Sequence, residues 1–403
     1  MFCSVCQHSS SSPGLLEAAP ALLAATLARA LPDQTSLYPD NNVRYMALQA
    51  LAGLAAVSIQ AVVREAAQVK SMLDVCLMDQ DPSVVLHAFR FIKSFAKHLT
   101  SLVETEQESG LEEDESKNTN LAVNFWIDFL KPGNLELLDK HPTANIRSAF
   151  CDCLAELGGF LFSELPQSKR LLVITFILSQ CGEVAGEPGP PPPLERQIQD
   201  RAALSSSLRT LGIIIMFPAH LTDTGLHIDC ADAILPHLGP VAAGPGRAGG
   251  LDPSNKAVRV SASWALANLT DTLVQADTRA EEQFPISIAR RILDTAVWAA
   301  ADPASAVNTQ SNAVRTVGNM LHWLTRERLD GEAEFERVMA AGTAAMVAAI
   351  HTGKIMKIRW NACYAASNVL RKPGLEQNYA WKRELLACLL DTVTNHQNFK
   401  VSE

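Results

Sequence analysis

Apolar residues recur along most of this chain at intervals of three and four, the period of one helix face. The stretch 40–54, DNNVRYMALQALAGL, places Val43, Ala47, Ala50, Leu51 and Leu54 on such a face. It opens on Asp40, a residue type that caps helix N-termini by accepting backbone N–H bonds. The stretches 15–31, 59–78, 81–95, 141–158 and 198–216 carry the same period. Pro32 closes the first of these, and Pro82 sits in the first turn of 81–95, where the missing N–H of proline costs nothing. No alternating apolar–polar run bounded by hairpin turns is present. The pattern predicts an all-α protein.

Near the C-terminus the period becomes a repeat. VRVSASWALAN (258–268), TQSNAVRTVGN (309–319) and IRWNACYAASN (358–368) align on Asn268, Asn319 and Asn368, which lie 51 and 49 residues apart. Six positions before each asparagine stands an alanine: Ala262, Ala313 and Ala362. Self-similarity at this spacing marks a helical solenoid, whose units bury their apolar faces only by stacking on one another. The expected organisation is a disordered segment over 1–14, then a continuous right-handed α-solenoid over 15–403. Loop insertions are expected at 104–116, a like-charge run, at the proline-rich 183–193, and at the glycine-rich 241–250. The last helix carries Leu385, Leu386, Leu389, Leu390 and Val393 with no repeat after it, which predicts an exposed apolar edge.

Each repeated helix has two stripes. Val258, Ala262, Ala265 and Leu269, copied as Ile358, Ala362, Ala365 and Val369, form the apolar stripe expected in the core. The other pairs Trp264 with Asn268, Arg315 with Asn319 and Tyr364 with Asn368 at i and i+4, one helix face. Ser261, Asn312 and Asn361 extend it by one turn. A carboxamide carries both donors and an acceptor, so an outward asparagine can grip a peptide N–H and C=O together. Aromatic walls would hold apolar stems or cations. Trp264, Asn268, Arg315, Asn319, Tyr364 and Asn368 are therefore the candidate partner-binding set, expected along the concave face. The competing reading is that these amides bond to neighbouring helices, as buried amides commonly do.

Composition narrows the function. The 403 residues carry a formal charge of −9, which disfavours a phosphate-binding footprint. No apolar run reaches the ~20 residues of a membrane-spanning helix. Nine cysteines sit mostly in apolar helical text without a disulfide framework, which points to a reducing compartment, cytoplasm and/or nucleus. Cys3, Cys6 and His8 have zinc-like spacing but lack the second pair that a structural site needs. His220, Asp223, His227 and Asp229 read as capping and surface residues. No nucleophile elbow, zinc-protease helix, dinucleotide fingerprint or phosphate loop is found. The expected protein is not an enzyme and uses no cofactor. Its partner is a protein or an extended peptide, rather than a nucleic acid, a membrane or a small-molecule substrate.

Asp-x-x-Val-Arg before an apolar helix, best seen as DNNVR over 40–44, resembles a HEAT repeat, in which the aspartate and arginine link neighbouring units. Val85 and Gln310 depart from that pattern, and no aspartate precedes Ile358 at the usual place, so those units should have a weaker polar ladder. KAVRVSASWALANLTDTL, SNAVRTVGNMLHWL and KIRWNACYAASNVLRKP are similar to the C-terminal part of the HEAT repeat-containing protein 6 family. That resemblance implies an armadillo-like helical fold with a protein-interaction role. The chain covers only part of that family's length. Trp-x-x-x-Asn on successive units also resembles armadillo-type nuclear import adaptors, and implies an alternative partner class of extended basic peptides.

Overall fold

The computed structural model describes residues 13–32, 40–109, 115–139, 141–182, 194–239, 256–276, 283–372 and 379–395. All regular structure among them is helical, the all-α solenoid class that the period predicts. The chain forms two compact units, Met1–Phe176 and Ile177–Glu403.

In the first unit the helices are α1 (Pro13–Ala30), α2 (Asn41–Val57), α3 (Ile59–Arg64), α4 (Ala66–Leu77), α5 (Pro82–Ser109), α6 (Glu115–Phe129), α7 (Pro132–Asp139), α8 (Ala144–Leu154) and α9 (Gly159–Glu164). The unit boundary falls within α10 (Gln167–Cys181). Helices α2, α5 and α8 pack in succession, with α1, α4 and α6 against their sides. Asp40 caps α2, accepting from the N–H groups of Asn42 and Val43 at 3.0 and 3.4 Å. Arg44, buried, donates to the Ala30 carbonyl at 3.1 Å and pairs with Asp79 at 2.6 Å. The Asp-x-x-Val-Arg motif thus ties α2 both to the end of α1 and to the turn before α5.

The structure corrects three expectations here. Pro13 and Gly14 begin α1 rather than belonging to a disordered tail; residues 1–12 lie outside the described residues. The stretch 59–78 is broken at Glu65 into α3 and α4. The acidic stretch 104–116 is not a loop throughout, since α5 runs to Ser109 and α6 starts at Glu115. Phe95, Leu99 and Val103, all fully buried, form a stripe at i, i+4 and i+8 that carries α5 into the charged run. Residues 110–114, 183–193 and 241–250 lie outside the described residues.

In the second unit α11 (Leu194–Ile214), α13 (Lys256–Gln275), α15 (Val307–Trp323) and α17 (Met356–Leu370) form one row, each packed on the next. Alongside stand α12 (Thr224–Ile234), α14 (Ile286–Ala301), α16 (Glu332–Thr352) and α18 (Ala380–Asn395). The apolar stripes are core as expected: Val258, Ala262, Ala265, Leu269, Ile358, Ala362, Ala365 and Val369 are all buried. On α18 Leu385 is buried, while Leu386, Leu390 and Val393 are exposed, a narrower apolar stripe than the sequence suggests.

Close approach sets the row spacing. A Cβ on Gly318 would lie 2.4 Å from the Cβ and 2.8 Å from the Cα of Ala365. One on Gly212 would lie 2.9 Å from the Cα of Ala265. Because backbone is what it would strike, a helix has to move. Alanine gains about 1 kcal/mol of helix propensity over glycine, whereas overpacking a tight contact costs about 1–3 kcal/mol. A clash at 2.4 Å with the Cβ and 2.8 Å with the Cα of Ala365 belongs in the upper part of that range, about 2–3 kcal/mol, so Gly318→Ala should lower stability by about 1–2 kcal/mol net. Urea unfolding followed by tryptophan fluorescence reads this, since Trp264, Trp298, Trp323, Trp360 and Trp381 all belong to the second unit. An unchanged or raised midpoint would refute the close-approach account.

Candidate functional site

The row places the six candidate residues on three consecutive helices, two each on α13, α15 and α17. Their side chains do not share one fate. Asn268 is 2% exposed and Asn319 6%, which overturns the expectation that these amides face outward. The Asn268 Nδ2 donates to the Gly212 carbonyl of α11 at 2.8 Å, and its Oδ1 accepts from the Arg315 guanidinium of α15. Both ends of that carboxamide are engaged within the row. The Asn319 Nδ2 donates to Thr270 Oγ1 at 3.1 Å and to Asp271 Oδ1 at 2.5 Å, both on α13. Arg315 also pairs with the other oxygen of Asp271 at 2.8 Å.

Further rungs follow the same step. Asn312 donates to Ser263 Oγ at 3.1 Å, and Asn361 donates to Ser311 Oγ at 2.8 Å. The Asn319–Thr270 and Asn312–Ser263 bonds each span 49 residues and Asn361–Ser311 spans 50. The bond period is therefore the repeat period, and the polar stripe is a ladder between units. At the row's far end the Asn368 carbonyl accepts from His322 Nδ1 at 3.0 Å. Lys372 donates to the carbonyls of Leu321 and His322, placing a cation at the C-terminus of α15 where the helix dipole favours it.

The second ladder lies on the Val-Arg motif. Arg259 reaches Asp302 at 3.4 Å and Ser305 Oγ at 3.1 Å in the turn before α15, and its guanidinium stacks over Trp298. Gln310 stands where an arginine is expected, and its amide donates to the Asp302 carbonyl at 2.9 Å. Arg359, with no preceding aspartate, donates to the Gly353 carbonyl at 3.0 Å, within its own turn.

What remains open to solvent is aromatic. Tyr364 is 58% exposed and Trp360, one turn earlier on α17, is 47% exposed. Met356 lies a further turn back, so the three stand at i, i+4 and i+8 on one exposed stripe. Trp264 is half-buried against Gly212. The sequence reading included Tyr364 but passed over Met356 and Trp360. Their signal was available: they share its stripe and lie opposite Ile358, Ala362 and Val369. A fourth repeat copy was also missed. LRTLGI over 208–213 aligns with VRTVGN over 314–319, and Gly212 receives Ala265 as Gly318 receives Ala365.

Among the remaining candidates, Asp223 does cap α12, accepting from the Leu226 N–H at 3.0 Å. His220 and His227 are buried rather than on the surface, a correction to their reading as surface residues. Burial holds the His227 imidazole below its ordinary pKa. Cys3, Cys6 and His8 lie outside the described residues.

The described residues define an all-α helical-repeat protein. No protein-family model matches the chain. A putative uncharacterized protein of Dictyostelium discoideum is 22% identical over 225 residues, a match covering 54% of this chain and 13% of that protein. Among solved structures, yeast importin-beta (Kap95p) aligns with 98% of this chain and 52% of its own at 15% identity, with a TM-score of 0.42. A β-catenin structure that concerns the interaction of β-catenin with cadherin aligns with 100% of this chain and 67% of that one at 14% identity and a TM-score of 0.47. The chain thus spans about half the length of the importin-beta structure and a small part of the Dictyostelium protein. Scores this low say nothing about function, and the repeat assignment rests on the packing and the ladder.

Two outcomes test the ladder. Asn319→Ala should destabilise the second unit by about 1–3 kcal/mol, because it removes the amide donor to the buried Thr270 Oγ1 and to Asp271 Oδ1, leaving that carboxylate to Arg315 alone; an unchanged urea midpoint would place the amide outside the ladder. Burial holds the Asp271 carboxyl above its ordinary pKa, against the pull of Arg315 and Asn319. A raised folded-state pKa contributes stability that is present below the unfolded-state pKa and is lost as pH rises through the folded value. The stability of wild type relative to Asp271→Asn should therefore be higher near pH 3.5 than near pH 7. The opposite slope, from paired unfolding curves, would show that Arg315 outweighs burial.

Proposed function

We propose that this chain is a non-enzymatic protein-interaction scaffold that binds its partner through the exposed side of the α13–α15–α17 row, the side read from the sequence as concave. The observation that carries it is the α17 stripe. Met356, Trp360 and Tyr364 lie open on a helix whose opposite side is fully buried. Large aromatic side chains left in water without a fold to hold are the anchors typical of interfaces, where Trp, Tyr, Met and Arg are enriched. Trp264 and Arg315, partly open on the preceding helices, extend the contact. In this reading the amides of Asn268 and Asn319 do not grip the partner; they hold the register of the helices that present the aromatics, and Asn368 joins them through its main-chain carbonyl.

The import-adaptor alternative, an extended basic peptide gripped by asparagines, needs carboxamides free to pair with peptide backbone. Asn268 has both ends committed, so the scaffold reading is preferred. Membership of the HEAT repeat-containing protein 6 family is part of the proposal and rests on the strings 256–273, 311–324 and 357–373. So is a cytoplasmic or nuclear setting, supported by thiols at Cys76, Cys153, Cys230, Cys363 and Cys388.

The test is affinity capture from cell extract, quantified by mass spectrometry, comparing wild type with Trp360→Ala and Tyr364→Ala at equal folded concentration. Hot-spot aromatics are worth about 2 kcal/mol each when truncated, so specifically retained proteins should fall by at least roughly tenfold. Both substitutions lie on an exposed stripe and should leave the urea midpoint within about 0.5 kcal/mol of wild type. Retention unchanged in both variants would overturn the proposal.

A further inference from the structure

The first unit contains a cleft that the binding reading does not use. Helices α4 and α6 both pack against α5 and leave between them a cavity of about 500 Å³. The sequence explains the gap. The start of α4 offers only Ala66 and Ala67 to the opening, and the facing positions of α6 are the polar Asn120 and Asn124. Neither wall has bulk enough to close it.

The interior is apolar and aromatic. Val69, Leu73 and Leu77 come from α4, and Leu121, Phe125 and Phe129 from α6. Phe95 of α5 adds to the lining and meets Phe125 edge-on, with ring centroids 5.0 Å apart. Phe125 and Phe129 stack at 6.1 Å. The polar groups gather among the lining residues that are least buried. Lys70 pairs with Asp128 from wall to wall, and Lys131 pairs with the other oxygen of Asp128 at 3.2 Å. Asp74 adds its field to Lys70. Lys70, Asp74 and Asp128 line the cleft and Lys131 stands just outside the lining, so with it the charges around the rim balance, and Asp128 is already held by both ammonium groups.

We propose that this cleft binds an uncharged, largely apolar small molecule, with an aromatic or branched body against Phe95, Phe125 and Phe129 and a hydrogen-bonding group at the rim near Asn124. Three observations meet in that choice. The volume lies in the range of small-ligand sites, which are lined mainly by apolar and aromatic side chains with a few polar groups. The rim's charges balance, and an ion entering an apolar interior without a counter-charge pays a heavy desolvation cost. The aromatic floor offers ring faces and edges, which favour a flat apolar guest. The expectation from sequence of no small-molecule substrate is untouched, because nothing here converts the guest.

The experiment titrates the full chain with N-phenyl-1-naphthylamine, a neutral aromatic dye whose emission rises in apolar surroundings, and with its anionic relative 8-anilinonaphthalene-1-sulfonate. The neutral dye should bind saturably, one per chain, and the anionic dye more weakly. Ala67→Trp, on an exposed helix position, should fill the cleft and weaken neutral-dye binding by at least roughly tenfold. Asn124→Trp should do the same from the opposite wall, and circular dichroism should show both variants folded. No saturable binding, a preference for the anionic dye, or equal neutral-dye affinity in whichever of these variants folds would overturn the proposal.

Discussion

The distance between neighbouring row helices is the constraint on which the second unit depends. At Gly318 the backbone of α15 comes so near Ala365 that no side chain fits between them. Gly212 against Ala265 repeats the arrangement two steps earlier in chain order. Only with the helices this close can short side chains bridge them. Asn268 reaches a main-chain carbonyl at 2.8 Å, and Asn361 reaches Ser311 at 2.8 Å. Small residues and amides therefore belong to one device: the first permits the approach that the second then fixes in register. A buried amide without its partner costs more than a made bond returns, so the ladder penalises slippage of one repeat against the next.

This device also explains why surface and structure were confused in the polar stripe. On an isolated helix Asn268, Asn319 and Asn368 lie about a right angle round from the apolar core positions, and such a polar flank reads as solvent-facing. In a row each helix has a second buried side, where the next helix lies, and that side can be polar if every group on it is paired. Periodicity along one helix cannot distinguish a face toward water from a face toward a polar neighbour. The distinguishing sign was the repeat itself, because an amide recurring at every repeat step is what an inter-repeat bond requires.

Other features were legible for equally specific reasons. Asp40 and Asp223 announced helix starts because a side-chain acceptor at that place has one obvious task. The departures at Gln310 and Ile358 pointed to a changed ladder, and the structure shows the change. Gln310 bonds a carbonyl of the turn where an arginine would pair with a carboxylate, and Arg359 turns back on its own segment. The acidic stretch misled because charge density was weighed over the buried stripe Phe95, Leu99 and Val103 that carries α5 onward. The cleft over Phe125 had no sequence sign, since an opening between two helices arises from what both walls lack. The copy at 208–213 escaped because Ile213 replaces the asparagine on which the others align.

The account stands or falls on whether the amides couple one repeat to the next. The direct measurement is a double-mutant cycle between Asn319→Ala and Asp271→Ala, read by urea unfolding of wild type, both single variants and the pair. Residues bonded across the row should show a coupling energy of about 1 kcal/mol or more, so that the double variant loses less than the sum of the singles. Additivity within about 0.3–0.5 kcal/mol would mean that Asn319 and Asp271 act independently, and the ladder would not be what holds the repeats in register.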